Sequence, residues 1–588
     1  MALLVDACSS GFRLSGPRYV VRYDDADPMG IRIEQEGDCL FRLPLVSGLA
    51  SLSEEERLTN VRHGPPVRTG DNRFEWTVYA DSTLWQERRF VWTFDEKRIT
   101  FAHRAEGAAA PGRCYLFSNG ISGHYNAGDS QGLAHNATIY AESYFSPEIN
   151  HANLFHFPIA MPQAVGIRKH APRTDGEHPE RISDGLFAPP PLFLCFMKGD
   201  KRASIGLGAK PGDYLFNGLE YTGARYAGAS FYVNYCGYRS AADGFESPTA
   251  ALHFGFGEYD NMADYVAWLD DSGFSTERKH PNAPWHRLPI FCGWAEQTAQ
   301  GKQHGVPPKE LATQDNYERW IGMLEARGLP VGTIVIDDKW QTHYGTLEIN
   351  TNKWPDMKGF IRRQHEQGRR VLLWTMTYHP EGLDERLCVL DEGKAVAADA
   401  TNPDYERFLR ERIRYLVQDV GADGFKKDGV GGLLNKPSLV MRKPTFGLEF
   451  LRKFQSILHD ETHRWKPDAM IQTQTPNPLF RESSDVLRLN DIHFGSRDVG
   501  AVMTKRARIA RIAGWDLVDC DNASSTNLEE WWRYMQLQVE LGIPSLYFVT
   551  QTESTYETVP EHRWHYLAAL WTDYIKRQYA DIGSGGLR

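Results

Sequence analysis

No stretch of this sequence approaches the roughly 18 consecutive apolar residues needed to span a bilayer, so a helical membrane protein is not expected. Its opening residues, MALLVDACSSGFRLSG, lack the basic start and long apolar run of a signal peptide. The 8 cysteines (Cys8, Cys39, Cys114, Cys195, Cys236, Cys292, Cys388 and Cys520) are scattered without a CxxC pair, which argues for free thiols and against a disulfide frame or zinc site. Positive charge is not in excess either. A net charge of −10 gives no reason to expect nucleic acid or an anionic membrane as partner. Together these absences predict a soluble, cytoplasmic protein. On that reading the sequons Asn136-Ala137-Thr138 and Asn522-Ala523-Ser524 are chance matches.

What is present is an ordinary globular composition, 41% hydrophobic and 24% charged, in a chain of 588 residues, which is too long for one core. Aromatics reach 12%, with 16 tryptophans; indole rings fill cores but also stack on sugar rings.

The first half is β-like. Tyr19 to Tyr23, Ile31 to Glu34, Phe74 to Tyr79, Arg89 to Phe94, Ala203 to Leu207 and Ala229 to Tyr235 alternate or run in β-formers between Asp, Gly and Pro clusters. Asn261 to Leu269 is a helix-like exception, and Pro281, Pro284 and Pro289 mark a linker. The density of short strands predicts a β-sandwich over residues 1–282.

From about residue 283 to 588 the pattern alternates strand and helix. Eight strand candidates stand at Ile290 to Trp294, Thr333 to Asp337, Arg370 to Thr375, Gly424 to Lys427, Met470 to Thr473, Val486 to Asn490, Trp515 to Asp519 and Ser545 to Val549. Helical stretches separate most of them, and Glu561 to Tyr579 closes the series. Eight such units in roughly 300 residues predict a TIM (β/α)8 barrel. A doubly wound sheet is the alternative, but no GxGxxG follows any of these strands.

Gly421 to Gly429, GADGFKKDG, is the stretch around which the barrel half is organised: a buried run that stops at Asp428 and opens into Gly429, Gly431 and Gly432. Catalytic groups of this fold sit at the C-terminal ends of the strands. Lys426, two residues before Asp428, points to the same face of a strand, and a cation there keeps the carboxylate ionised. The plain alternative is a helix-capping Asp. The other strand ends break the tie. They carry Trp294, then Asp337-Asp338 with Trp340, then Trp374, then Arg488 with Asp491, then Asp519 and Asp521. Carboxylates accept from hydroxyls and tryptophan stacks on pyranose rings, so the set predicts a sugar pocket. A metal in this pocket is not expected, because Lys426 and Arg488 would stand inside its coordination shell. His562 and His565 fall on the final helix as surface or packing residues.

These residues carry a resemblance to the clan of retaining α-glycosidases that includes glycoside hydrolase families 27, 31 and 36, from about Pro289 onward. The Lys-x-Asp at Lys426 to Asp428 resembles the clan's nucleophile strand, which implies Asp428 as nucleophile. Asp337-Asp338 is similar to the acid pair that holds outer sugar hydroxyls in α-galactosidases. Arg488 and Asp491 resemble the sixth-strand Arg plus acid, implying Asp491 as general acid/base. Asp521, in Cys520-Asp521-Asn522, has the look of the family 31 acid/base motif and is the rival. The β-rich first half fits the sandwich that families 31 and 36 place before the barrel. Gln472 and Gln474 depart from the usual fifth strand, and the small C-terminal β domain usual in these families is not seen.

The resemblance implies two-step retaining hydrolysis of a terminal α-glycoside without a cofactor. Trp294 and Trp374 wall the pocket, Asp337 and Asp338 bind hydroxyls, and Arg488 orients the 2-hydroxyl side. Asp519 is read as structural and Trp340 as wall or core. Among sugars the acid pair favours an α-galactoside, with an α-glucoside next and an N-acetylated galactose open. Transglycosylation and a non-catalytic sugar-binding protein are the alternative readings, and the sequence is compatible with an oligomer.

Overall fold

The computed structural model describes residues 3–8, 10–118, 136–145, 156–158, 193–216, 220–223, 228–429, 434, 437–491, 498–523 and 526–580. Gly431 and Gly432 of the glycine-rich loop lie outside the described residues.

Two large antiparallel sheets form the first half. One begins as a meander from Leu4–Cys8 to Asp38–Pro44 and continues through Ala137–Ile139, Gly228–Asn234 and Pro111–Leu116. The other contains the meander Arg73–Ser82, Glu87–Asp95 and Arg98–Glu106, followed by Thr249–Gly255, Lys201–Gly208 and Phe193–Lys198. Alternation along Glu87–Asp95 turns Phe90, Trp92 and Phe94 inward, where they are fully buried. The sheets meet face to face: Phe12 lies edge-on to Trp76 at 4.9 Å, Phe41 to Phe196 at 5.3 Å, and Trp92 Nε1 donates to the Leu45 carbonyl at 3.1 Å. This is the sandwich that the alternating sequence predicts. Helix α1 (Glu258–Asp271) packs on it by Met262, Tyr265, Trp268 and Leu269.

The second half is a parallel barrel of eight strands: β1 (Ile290–Cys292), β2 (Thr333–Ile336), β3 (Arg370–Met376), β4 (Gly424–Asp428), β5 (Met470–Thr473), β6 (Val486–Arg488), β7 (Val518–Asp519) and β8 (Ser545–Leu546). Neighbours pair in chain order, and β8 returns to β1. A single parallel bridge, Asp519 to Ile543, joins β7 to the approach of β8 and nearly closes the ring. Every expected strand is found, each within its expected stretch or extending one residue beyond it, because pairing stops where the strands splay into loops.

The helices are α2 (Trp294–His304), α3 (Gln314–Ala326), α4 (Met357–Glu366), α5 (Pro403–Arg414), α6 (Gly447–Trp465), α7 (Val499–Ile512), α8 (Leu528–Leu541) and α9 (Glu561–Ala580). Thr313, Asp356, Asn402, Asp498 and Asn527 cap five of them through side-chain oxygens on free backbone amides. Helix α5 runs on into a π turn, Tyr415–Val420, that Gly421 ends at φ 101°. Two features were not legible. Trp294 opens α2 instead of ending β1, and a small sheet of Cys388–Asp391, Lys394–Ala398 and Leu439–Val440 covers the loop region beyond β3 and β4.

Candidate active site

The C-terminal ends of β2 to β7 converge on one cluster of charged side chains. Asp428 is the last residue of β4, and Gly429 follows at φ 64°, where any Cβ would strike the Met376 sulfur. Asp428 keeps 36% of its side chain exposed, and Trp374 Nε1 donates to its Oδ2 at 3.1 Å. Trp374 itself is almost wholly buried on β3. Its ring therefore braces the carboxylate from below, with Tyr344 tilted against it at 5.6 Å.

Arg488, at the end of β6 and fully buried, is the centre of the charge network. Its Nη2 lies 3.0 Å from Asp521 Oδ2, its Nη1 donates to Gln474 Oε1 at 3.3 Å, and Nη1 stands 3.7 Å from Asp428 Oδ1. Asp491 lies just beyond β6, its Oδ1 3.9 Å from Arg488 Nη2. Its side chain is 31% exposed, yet Oδ1 is shielded from solvent and has no hydrogen-bond partner among the described residues. Burial, reinforced by the negative charge of Asp521, pushes the Asp491 carboxyl well above the usual range.

Asp521 is the reverse case. It accepts from Tyr547 Oη at 2.6 Å, from Arg488 and from the Asn522 amide at 3.0 Å, and it is sealed from solvent. Burial alone would raise its pKa, but Arg488, Lys426 and Tyr547 outweigh that and hold it below the ordinary value. Asp521 was expected to touch substrate or to rival Asp491 as the acid. Here it is sealed and ion-paired, and it fixes Arg488.

Two other expectations are changed by the contacts, and the open choice for Trp340 is decided. Lys426 does not hydrogen-bond Asp428: its Nζ donates to Asp337 Oδ2 at 2.6 Å, and both side chains are buried. The cation beside Asp428 is Arg488. Asp337, expected to bind hydroxyls, is enclosed by Lys426, the Cys292 thiol at 2.9 Å and the Asp338 amide at 2.8 Å. Trp340 is fully buried, its Nε1 on the Trp374 carbonyl at 2.8 Å, so it supports the wall from behind. Trp294 keeps partial exposure at the start of α2 and packs against the core. A Cβ at Gly293, which caps α2, would meet Tyr317 Oη at 2.5 Å, so the strand ends there and the helix begins.

Of the acid pair, Asp338 is the one turned outward. Its Oδ2 accepts from Tyr344 Oη at 3.1 Å, and its Oδ1 has no hydrogen-bond partner among the described residues. Burial outweighs the Tyr344 hydrogen bond, the charges of Asp337 and Asp428 add to it, and the carboxyl is pushed up to about 6. Asp519 is buried, held by Gln472 Nε2 at 3.1 Å and by Ser545, as a structural acid. Gln472 and Gln474, the departures on β5, thus serve Asp519 and Arg488.

Sequence reasoning missed Tyr344, Tyr547 and Glu296. Glu296, on α2, accepts from the Val549 and Thr550 amides at 2.7 and 3.0 Å and ties the end of β8 to α2. Tyr547 lies inside the eighth strand candidate, whose end offered no charged residue to draw notice. Tyr344 lies in a loop with no period to read.

The family model for the glycosyl hydrolases family 31 TIM-barrel domain matches residues 304–563. The match covers most of the barrel half, and it supports the resemblance of that half to the retaining α-glycosidase clan. Its barrel is a glycoside hydrolase domain. The α-xylosidase XylQ of Lactiplantibacillus pentosus is 22% identical over 136 residues, 20% of this chain and 18% of that protein's length. The fold is similar to that of a family 31 sulfoquinovosidase from E. rectale, with TM-score 0.56 at 10% identity over 97% of this chain and 83% of the other. It is also similar to an α-galactosidase from Lactobacillus brevis (TM-score 0.52, 11% identity, 98% and 84%) and to a Flavobacterium johnsoniae family 31 dextranase (0.53, 12%, 98% and 61%).

Proposed function

We propose that this protein is a retaining, exo-acting α-glycoside hydrolase with Asp428 as nucleophile and Asp491 as general acid/base. The observation that carries the reading is the different surroundings of two carboxyls on one guanidinium. Asp428 is open, oriented by Trp374 and flanked by Arg488; Asp491 is shielded at Oδ1, unpaired and raised in pKa. A carboxyl whose surroundings raise its pKa suits the general-acid role.

In the first step an Asp428 oxygen bonds to the anomeric carbon as the glycosidic C–O bond breaks, and Asp491 gives its proton to the departing oxygen. In the second, Asp491 takes a proton from water, whose oxygen displaces the Asp428 ester and restores the carboxylate. Retention in this scheme needs carboxyls about 5–5.5 Å apart, and two acids held within 4 Å of one guanidinium suit so short a spacing. Lys426, Asp337, Arg488 and Asp521 hold the frame and contact no substrate.

For the sugar, we propose an α-galactoside, through the free Oδ1 of Asp338 as hydroxyl acceptor beside Tyr344. The family 31 barrel match and the similarity to an α-xylosidase favour an α-xyloside or α-glucoside as the second reading. Activity on a panel of p-nitrophenyl α- and β-glycosides, with Asp428→Asn alongside and the anomer of the first-formed product read by proton NMR, tests the whole scheme. Release from α-glycosides alone, as α-anomer, lost in the variant, is expected. Sugar affinity without turnover would replace this reading with a binding protein, and β-anomer product would overturn retention.

A further inference from the structure

At the opposite end of the barrel from the pocket, three buried side chains bring ligating atoms together. His459 and His463 lie one turn apart on α6 and therefore share a face. Asp485 immediately precedes β6. His463 Nε2 is 3.0 Å from Asp485 Oδ2, and His459 Nε2 is 3.6 Å from Asp485 Oδ1. One such atom from each residue lies within 4.8 Å of the other two. His459 and Asp485 are fully buried, and His463 nearly so.

Two of these atoms, His459 Nε2 and Asp485 Oδ1, stand 3.6 Å apart and have no hydrogen-bond partner among the described residues. Leaving a buried polar atom unpaired costs about 1–3 kcal/mol, so two facing one another call for a shared partner. The outer contacts say what kind. His463 Nδ1 sits 3.0 Å from the Pro467 carbonyl, and His459 Nδ1 sits 3.4 Å from Asp460 Oδ1. Each Nδ1 therefore has an acceptor to hold its proton, so that a cation displacing the His463 Nε2–Asp485 hydrogen bond would meet both rings in the arrangement that metal-ligating histidines share. Asp485 Oδ2 is fixed by the Ile471 amide at 2.7 Å. The neighbouring buried amine, Lys427, donates to Gln455, Ser483 and Ser484 and not to Asp485.

We propose that His459, His463 and Asp485 form a site for a borderline divalent cation of the zinc class, apart from the sugar pocket. Two imidazoles and a carboxylate at zinc–ligand distances of about 2.0–2.2 Å stand roughly 3.3–3.5 Å from one another in a tetrahedron, and the two separations to Asp485, 3.0 and 3.6 Å, bracket that value. One position remains for water. His280, in the segment joining the two halves, stacks on His463 at 4.2 Å with planes 6° apart and is only half-buried, which marks a path of entry. The ion would fasten α6 to the start of β6, the strand that carries Arg488 at its far end, and would sit beneath the interdomain segment. Its role is therefore structural.

The test uses the full chain, stripped with chelator and dialysed, then titrated with Zn²⁺ by calorimetry, with Co²⁺ absorption and thermal unfolding in parallel. Expected are one equivalent of Zn²⁺ bound, a tetrahedral Co²⁺ spectrum and a raised Tm. His459→Phe should keep the apo-protein's circular dichroism and Tm while weakening zinc at least tenfold, and Asp485→Asn should also lose the spectrum. Absence of a stoichiometric site in the wild-type chain would overturn the proposal. So would zinc binding unchanged in His459→Phe, which would mark surface binding and leave His463 and Asp485 as a plain ion pair. Neither outcome depends on whether the protein cleaves a glycoside.

Discussion

Arg488 and Asp521 form a buried ion pair beneath the candidate site, Nη2 to Oδ2 at 3.0 Å, and this pair sets the charge felt by Asp491. Replacing Asp521 by Asn removes a negative charge that raises the Asp491 pKa and frees Arg488 to face it. Both effects have one sign. The alkaline limb of kcat/KM, where a general acid loses its proton, should move to lower pH in Asp521→Asn. A limb that stays in place or moves up would remove Asp491 from the acid role.

The two candidate acids are also separable by chemical rescue. Asp491→Ala should lose about 10²–10⁴-fold on a substrate whose leaving group needs a proton. It should lose much less on an activated aryl glycoside, and azide should then yield a glycosyl azide. Asp521→Ala should show no rescue, because its defect is a misplaced Arg488. Azide rescue of Asp521→Ala instead would exchange the assignments.

Lys426 and Asp337 make a second buried pair, at 2.6 Å. Lys426→Met should cost about 3–5 kcal/mol in urea unfolding, since it strands a buried carboxylate, and adding Asp337→Leu should recover most of it. If Lys426 served Asp428 directly, the single variant would lose turnover while keeping its stability.

Asp338 gives a pH dependence with a definite sign. Its folded carboxyl is pushed up to about 6, against about 3.9 in the unfolded chain. A raised folded value means ionisation weakens the fold, with a penalty that grows as pH rises from about 4 to 6 and then levels. Asp338→Asn lacks the penalty and retains an acceptor for Tyr344. Its stability relative to wild type should rise by about 1 kcal/mol between pH 5 and pH 7.5. A difference that is flat or falls with pH would contradict the burial argument.

These residues show why the sequence told some things and not others. Period-2 alternation and buried runs bounded by Gly and Asp are local signals, so the strands of the sandwich and the eight of the barrel could be read, as could Asp428 at the end of one of them. Which side chain meets which is set by barrel closure. Lys426 and Asp428 share a face of β4 by spacing, but the buried Asp337 at the end of β2, one strand beyond β3, takes the lysine. Asp521 resembles an acid by its neighbours in the chain and loses that freedom only when β6 brings Arg488 beside it. Trp340 and Trp374 are alike as letters, and the fold buries one fully behind the other. The His459–His463 spacing was visible, but Asp485 lies 22 residues further on and only the barrel unites them.

The most direct measurement is covalent trapping with an activated 5-fluoro-α-glycosyl fluoride matched to the best panel substrate, followed by peptide mass spectrometry. The account predicts one label per chain, on Asp428 in the peptide containing Gly424 to Gly429, and no label in Asp428→Asn. A label on another acid, or turnover that persists undiminished in Asp428→Asn, would contradict it.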